Sequence, residues 1–329
     1  MADDRRLAAL QQFGAQALGT QDFDWAPASS DASFRRYFRI EGAQGSWIVM
    51  DAPPEKEDLG RFVKVARRFA ALGLHVPEIL ACNLDAGFCL LSDLGRRPYL
   101  DELTDETVER LYGDALGALV VLQSGTFADP EFLPPYNGEL LRKEMERFPT
   151  WYLGRYLGIT LSDRDTHLLA TAFENLTRSA LAQPQVWVHR DYHSRNLMIL
   201  PRHNPGILDF QDAVCGPITY DLVSLLKDCY IAWPRGRIIE WVKGYCQLAR
   251  ESGIHCCDDD DIFVEWFDRM GIQRHLKVAG TFARLHLRDG KSGYLADLPL
   301  TMRYLREASA EYSDLKNLHA FLCALPESP

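Results

Sequence analysis

Positive charge is scarce in this chain: 36 Lys and Arg stand against 46 Asp and Glu, a formal net charge of -10. A general nucleic-acid binder needs a basic face, so that class is disfavoured, whereas a polyphosphate ligand needs only a local positive site. No apolar run approaches the ~20 residues of a membrane span. The opening M-A-D-D-R-R begins with acids, not with the basic-then-apolar order of a signal peptide. The expectation is a cytoplasmic monomer with no nucleic-acid or membrane partner. None of the eight cysteines makes a C-x-x-C pair. Buried free thiols are therefore expected in preference to disulfides or a zinc site. A G-x-G-x-x-G loop and internal repeats are also missing.

What is present suits a globular protein of one large domain or two lobes, with 329 residues, 47% of them apolar. Apolar spacing predicts a first helix over Arg5–Leu18. Strands are expected over Phe34–Ile40 and S-W-I-V-M, joined by the turn E-G-A-Q-G. Asp58 can cap a helix over Leu59–Leu72, and Val76–Leu80 with Cys82 and Phe88–Leu91 read as further strands. From Leu103 onward the periodicity is helical, with a break at Pro149, a helix over Tyr220–Trp233 and a long one over Ile262–Arg288. The acidic run at 258–261 suits a helix N-terminus. Composition thus shifts near residue 95, dividing the chain into a mixed β/α part, 1–94, and a mainly α part, 95–329. Between Ala28 and Ser33 lies a small polar loop whose backbone N–H groups, with Ser30 and Ser33, could approach phosphate; Arg35 or Arg36 follows as a cation for it.

The chemistry concentrates in Val188–Asp212, V-H-R-D-Y-H-S-R-N-L-M-I-L, a turn P-R-H-N-P, then G-I-L-D-F-Q-D. His189, Asp191 and Asn196 fit H-x-D-x-x-x-x-N, and Asp209 lies thirteen residues beyond Asn196. Short apolar runs flank each polar cluster, so the polar residues fall at strand ends. That arrangement suits phosphoryl transfer, in which positioning and charge neutralisation dominate. Asp191 would orient an acceptor hydroxyl; Asn196 and Asp209 would supply oxygen ligands to Mg2+. His189 is expected to tie the loop from below, and Asp221 either to support the loop or to cap its own helix. His193, Arg195 and Asp212 are candidates to meet the acceptor.

H-R-D-Y-H-S-R-N-L-M-I-L followed by L-D-F-Q-D resembles the aminoglycoside phosphotransferase (choline kinase-like) family of small-molecule kinases. The resemblance spans nearly the whole chain. It implies an α+β, protein-kinase-like bilobal fold, with a small antiparallel-sheet N-lobe and a mainly helical C-lobe. It also implies ATP and Mg2+ as cofactors and adenine held by the linker around Ser92, Asp93 and Leu94. His193 stands where a protein kinase would carry Lys, and D-F-Q where it would carry D-F-G, which points to a small-molecule acceptor. The family's lysine on the second hairpin strand is missing: Met50 and Asp51 occupy its neighbourhood, and Arg35 or Arg36 is expected to replace it.

Further stretches, S-S-D-A-S-F-R-R-Y-F-R-I, W-I-V-M-D-A-P-P-E-K-E-D and M-G-I-Q-R-H-L-K-V-A-G-T-F-A-R-L-H-L-R-D-G-K, resemble a narrower group, the amino-sugar anomeric kinases of bacterial cell-wall recycling. This implies ATP-dependent phosphorylation of N-acetylmuramate and N-acetylglucosamine at C1, giving the α-1-phosphate in peptidoglycan recycling. The lactyl carboxylate of N-acetylmuramate would need a cation, for which Arg147, Arg195, Arg274 and Lys277 are candidates. A polycationic aminoglycoside is the alternative acceptor, with Glu144 among the acids available to it. A non-catalytic nucleotide-binding regulator is the other alternative.

Overall fold

The computed structural model describes residues 2–29 and 34–326. Two compact units divide it: Met1–Tyr99 with Asn196–Gln211, and Leu100–Arg195 with Asp212–Pro329. Tyr99 lies near the compositional shift at residue 95; the joining of 196–211 to the first unit is not visible in composition.

The chain begins with α1 (Ala2–Leu18), β1 (Asp24–Ser29), β2 (Arg36–Gly42), β3 (Gly45–Asp51), α2 (Leu59–Ala71), β4 (Ile79–Asn83) and β5 (Phe88–Ser92). The strands form one antiparallel sheet ordered β1-β2-β3-β5-β4. Leu10, Ile40, Val49, Phe88 and Leu90 form its buried cluster, with Leu7 and Phe13 of α1 packed against it. β1 is not among the expected strands, because Pro27 interrupts its pattern. Among the described residues it lies at the sheet edge and pairs only with β2, where a missing N–H costs no second ladder. Asp58 caps α2 by accepting from Arg61 N at 2.9 Å, as its position suggested. Cys82 and Cys89 face each other across β4 and β5 and are joined as a disulfide, against the expectation of free thiols. The cross-strand register brings the two together, and spacing in sequence does not reveal it. Cys215, Cys229, Cys246, Cys256, Cys257 and Cys323 are free.

Next come α3 (Tyr99–Glu102), α4 (Val108–Ala128), α5 (Gly138–Met145), a π-helical segment Phe148–Tyr156, α6 (Asp163–Leu181) and β6 (Gln185–Val188). The expected break at Pro149 takes the form of that π-helical segment, with proline in its first turn. β7 (Leu197–Met198) and β8 (Gly206–Ile207) then make a two-stranded hairpin in the first unit.

Back in the second unit, β9 (Val214–Pro217) pairs antiparallel with β6. α7 (Tyr220–Leu226), α8 (Arg235–Glu251), α9 (Asp260–Asp289), α10 (Leu298–Ala310) and α11 (Lys316–Ala324) complete the chain. α7 stops well short of the expected Trp233. Asp228 instead turns its carboxylate to the N–H groups of Ser194 and Tyr230, and Pro234 favours extended backbone before it. The acidic run opens α9 as expected, with Asp259 accepting from Asp261 N at 2.8 Å. α9 crosses the π-helical segment at Gly280, where a Cβ would lie 2.3 Å from the backbone carbon of Arg147. Among the described residues no helix is long and apolar enough to cross a membrane.

Candidate active site

Asp191 sits in the loop after β6, half-buried, next to Arg190, whose φ of 78° is left-handed. A non-glycine residue in that region is strained and needs outside support, a pattern that clusters at functional loops. Here Asp221 supplies the support, accepting from His189 N at 2.6 Å and Arg190 N at 2.9 Å. Of the two expectations for Asp221, loop support is therefore the one observed. Burial pushes its carboxyl up to about 7, while those two donors pull it down. His189 is fully buried and its Nδ1 receives Asp191 N at 3.3 Å, so it braces the loop from below. Ser194 is anchored by the buried Asp228, which accepts both its N–H and its hydroxyl.

Beneath the loop lies a cation cluster. Glu144, expected among the acceptor contacts, is completely buried. It accepts from Arg190 and from the Tyr136 hydroxyl, and pairs with Lys277 at 3.5 Å. A carboxylate so enclosed organises the cations around it. Burial works against the Lys277 charge, but Glu144, Tyr220 and Asp191 together raise its pKa. For Asp191, burial would raise the carboxyl, but Lys277 foremost, with Arg274 and Arg190, holds it down to about 2. These cations favour the ionised form of Asp191.

α9 contributes Arg274, Lys277, Val278, Thr281 and Phe282, spaced along one helical face. With Asp191, His193, Cys229 and Tyr230 they line a pocket of about 90 Å³. Burial pushes the His193 imidazole down, favouring its neutral form, and its Nδ1 is buried without a hydrogen-bond partner. Of the other expected contacts, Arg195 lies 3.6 Å over the Tyr230 ring and 3.9 Å from Asp297. Arg147 is half-buried and donates to Thr281 Oγ1 at 3.1 Å. Asp212 is exposed, and its carbonyl accepts from Arg190 at 3.5 Å.

Asn196 and Asp209 come together in the first unit. Leu208 N donates to Asn196 O at 2.9 Å, so the two residues stand at one end of the β7–β8 hairpin. Asp209 has a left-handed φ of 62°, and Gln211 Nε2 holds its Oδ1 at 2.6 Å. Phe210 is buried against Phe62 and Phe69 of α2, with ring centroids 5.0 and 5.8 Å away. This oxygen-donor pair suits Mg2+, which keeps waters and phosphate oxygens in its shell and takes only one or two protein ligands. Among the described residues no group of three or more His, Cys, Asp or Glu could hold a metal unaided.

The expected nucleotide contacts divide. Ser30 and Ser33 lie outside the described residues. Arg35 is buried against Glu57 at 2.7 Å, and Arg36 pairs with Asp51 at 2.7 Å, leaving its side chain 31% exposed. Ser92 N donates to Glu78 O, and the Ser92 hydroxyl accepts from Glu78 N. Asp93 grips Arg39 with both oxygens and also takes Ser46 and Gly95 N. These two linker side chains therefore serve the sheet. Leu94 lies against the hairpin, where a Cβ on Gly206 would come 3.0 Å from its Cδ1.

Arg190, Asp228, Tyr230, Thr281 and Gln211 touch the expected residues or their loop without having been expected themselves. An acid interrupting the apolar run L-V-S-L-L-K-D-C-Y was the available signal for Asp228.

Residues 24–258 match the model of the phosphotransferase enzyme family. The chain belongs to this family. It is 48% identical over 337 residues to an N-acetylmuramate/N-acetylglucosamine kinase of Pseudomonas aeruginosa, covering 99% of both chains. A protein of the same name from Neisseria meningitidis is 42% identical, over 93% of this chain and 91% of the relative. A choline kinase of Streptococcus pneumoniae superposes with a TM-score of 0.65 at 11% identity, covering 93% of this chain and 99% of that one. An ADP-bound aminoglycoside phosphotransferase gives 0.59 at 15% identity, over 92% and 98%. The fold is accordingly the α+β kinase-like fold of this family: an antiparallel sheet near the N-terminus and a mainly helical remainder.

Proposed function

We propose that this phosphotransferase is an ATP- and Mg2+-dependent sugar kinase that phosphorylates the anomeric C1 hydroxyl of N-acetylmuramate and N-acetylglucosamine. The α-1-phosphate would feed peptidoglycan recycling in the cytoplasm, with the enzyme working as a monomer. The observation that carries the reading is Asp191, a carboxylate lining a pocket on a loop braced by Asp221, His189 and Asp228, with nearby cations that favour its ionised form. The relatives' names supply the acceptor class.

In this reading the acceptor hydroxyl donates to Asp191 and attacks the γ-phosphorus, forming the new O–P bond as the bond to the ADP oxygen breaks. A carboxylate held near 2 is a weak base, so the proton transfers late. An anomeric hydroxyl, more acidic than an ordinary alcohol, suits such a base. Mg2+, held by Asn196 and Asp209, would neutralise charge on the transferring phosphate. Arg36, partly exposed and paired with Asp51, would stand in for the family's strand lysine. Backbone groups about Leu94 would hold adenine.

A polycationic aminoglycoside fits less well, because Arg274 and Lys277 line the pocket and Glu144 is sealed beneath it. A regulator without activity would not need an ionised Asp191 on a braced loop. The test is phosphorus NMR of the product made from N-acetylmuramate and ATP. A C1 phosphate is expected; a C6 phosphate, or turnover of cationic substrates alone, would overturn the assignment.

A further inference from the structure

The pocket beside Asp191 holds about 90 Å³, well below the ~300–1,000 Å³ of sites that engulf a whole small ligand. It is therefore sized for one substituent of an acceptor. Its charge is unusual. Arg274 is 4% exposed, yet pairs with no carboxylate among the described residues, and its one hydrogen bond runs to Cys229 Sγ at 3.6 Å. A buried guanidinium without an acid partner is costly unless a ligand completes it.

The other cations nearby are occupied. Lys277 and Arg190 are taken by Glu144, and Arg195 by Tyr230 and Asp297. Arg147 donates to Thr281 and is more open to solvent. The acids that act on Arg274 from a distance are Asp191 and Asp228, and Asp228 already accepts from Ser194 and Tyr230. Beside Arg274 the wall includes apolar Val278 and Phe282. The pocket thus offers a two-pronged cation next to a surface for a methyl group.

We propose that Arg274 is the specificity-determining residue for acidic acceptors: it receives the carboxylate of the lactyl ether that distinguishes N-acetylmuramate from N-acetylglucosamine, with the lactyl methyl against Val278 and Phe282. This rests on the kinase reading above. A guanidinium fork matches a carboxylate in geometry, and a charge-assisted pair of this kind is strong because both partners leave water together.

The test is the ratio of kcat/KM for N-acetylmuramate to that for N-acetylglucosamine, followed by ADP release. The ratio cancels any general damage that a substitution does to Asp191 or to the fold. Arg274→Gln is expected to lower it roughly 10- to 100-fold, mostly through KM of the acid. The methyl ester of N-acetylmuramate is expected to show no such change relative to N-acetylglucosamine. Should Arg274→Gln fail to fold, Arg274→Lys serves: it keeps the charge, loses the fork and should lower the ratio by a smaller factor, about three to ten.

A ratio unchanged in both variants would overturn the proposal and leave Arg274 as a supporting charge for Asp191. A rise in KM for ATP with both sugars at constant ratio would overturn it in favour of a phosphate contact. A fall in ratio with Arg147→Gln but not with the Arg274 variants would move the role to Arg147. If the wild-type enzyme phosphorylates neither sugar, the kinase reading itself fails and the proposal with it.

Discussion

In the first unit, Arg35 is held by Glu57, Arg6 and Arg36 share the buried Asp51, and Arg39 and Asp93 meet in a two-pronged pair. In the second, Glu144 gathers Arg190 and Lys277 under Asp191, and Arg274 has no acid of its own among the described residues. The first arrangement is closed: each of these arginines is matched by an acid from another part of its unit, so the charges hold strands and linker in place. The second is open: cations outnumber the acids that hold them, and the excess faces a pocket. Matched charges in the first unit should report in stability, and unmatched ones in the second should report in activity.

The largest effect is expected where the two halves of the motif do their separate work. Asp209→Ala, in the first unit, should abolish Mg2+-dependent turnover, read by ADP release across a Mg2+ titration. Gln211 Nε2 orients the Asp209 carboxylate. Activity unchanged across the titration would remove it from the metal site.

Next comes Asp191→Ala. Loss of a positioned base should lower turnover by at least ~10²-fold, while ATP binding by calorimetry stays near wild type. Normal turnover in this variant would sink the assigned role and, with it, the view that the second unit's charge is arranged around Asp191.

These two positions were legible before the structure because their spacing is local: five and thirteen residues separate Asp191, Asn196 and Asp209 along the chain. The hairpin β2–β3, the capped α2 and the acidic start of α9 were legible for the same reason, since each is written within a few residues. What escaped is what depends on distant partners. Arg190 meets Glu144, 46 residues away, and Asp93 meets Arg39, 54 residues away. No local pattern distinguishes a matched arginine from an unmatched one, so Arg147, Arg195, Arg274 and Lys277 could not be ranked. β1 escaped because an edge strand tolerates the proline that argues against a central one.

A smaller effect should test the closed arrangement. Asp93 lies in the linker whose backbone is expected to meet adenine, and its side chain holds Arg39, Ser46 and the Gly95 N–H. Asp93→Ala should cost about 2 kcal/mol of unfolding free energy in urea, the scale of losing charge-assisted hydrogen bonds at a partly buried site. KM for ATP should change little. A marked rise in KM for ATP at unchanged stability would show that charge in the first unit also serves the nucleotide directly, and the contrast between units would blur.

The smallest effect at neutral pH, and the sharpest test of the open arrangement, comes from Lys277→Met. Burial alone would raise the Asp191 carboxyl, and Lys277 is the foremost group holding it near 2. Removing that cation favours the protonated form, so the folded-state value must rise, towards or past the ordinary ~4 of an aspartate. Activity requires the ionised form and is lost as pH falls through that value. In the wild type the acid limb of kcat/KM lies too low to be seen above pH ~4. In the variant it should move up into the measurable range, while at pH ~7 both proteins keep Asp191 ionised and differ little from this cause. Arg190 and Tyr136 still satisfy Glu144 in the variant, so the loop retains its floor. Dividing one pH profile by the other removes the ionisation of ATP, common to both. A quotient flat down to pH ~4 would mean that Lys277 does not set the charge of Asp191, and that the excess cations of the second unit act on the acceptor alone.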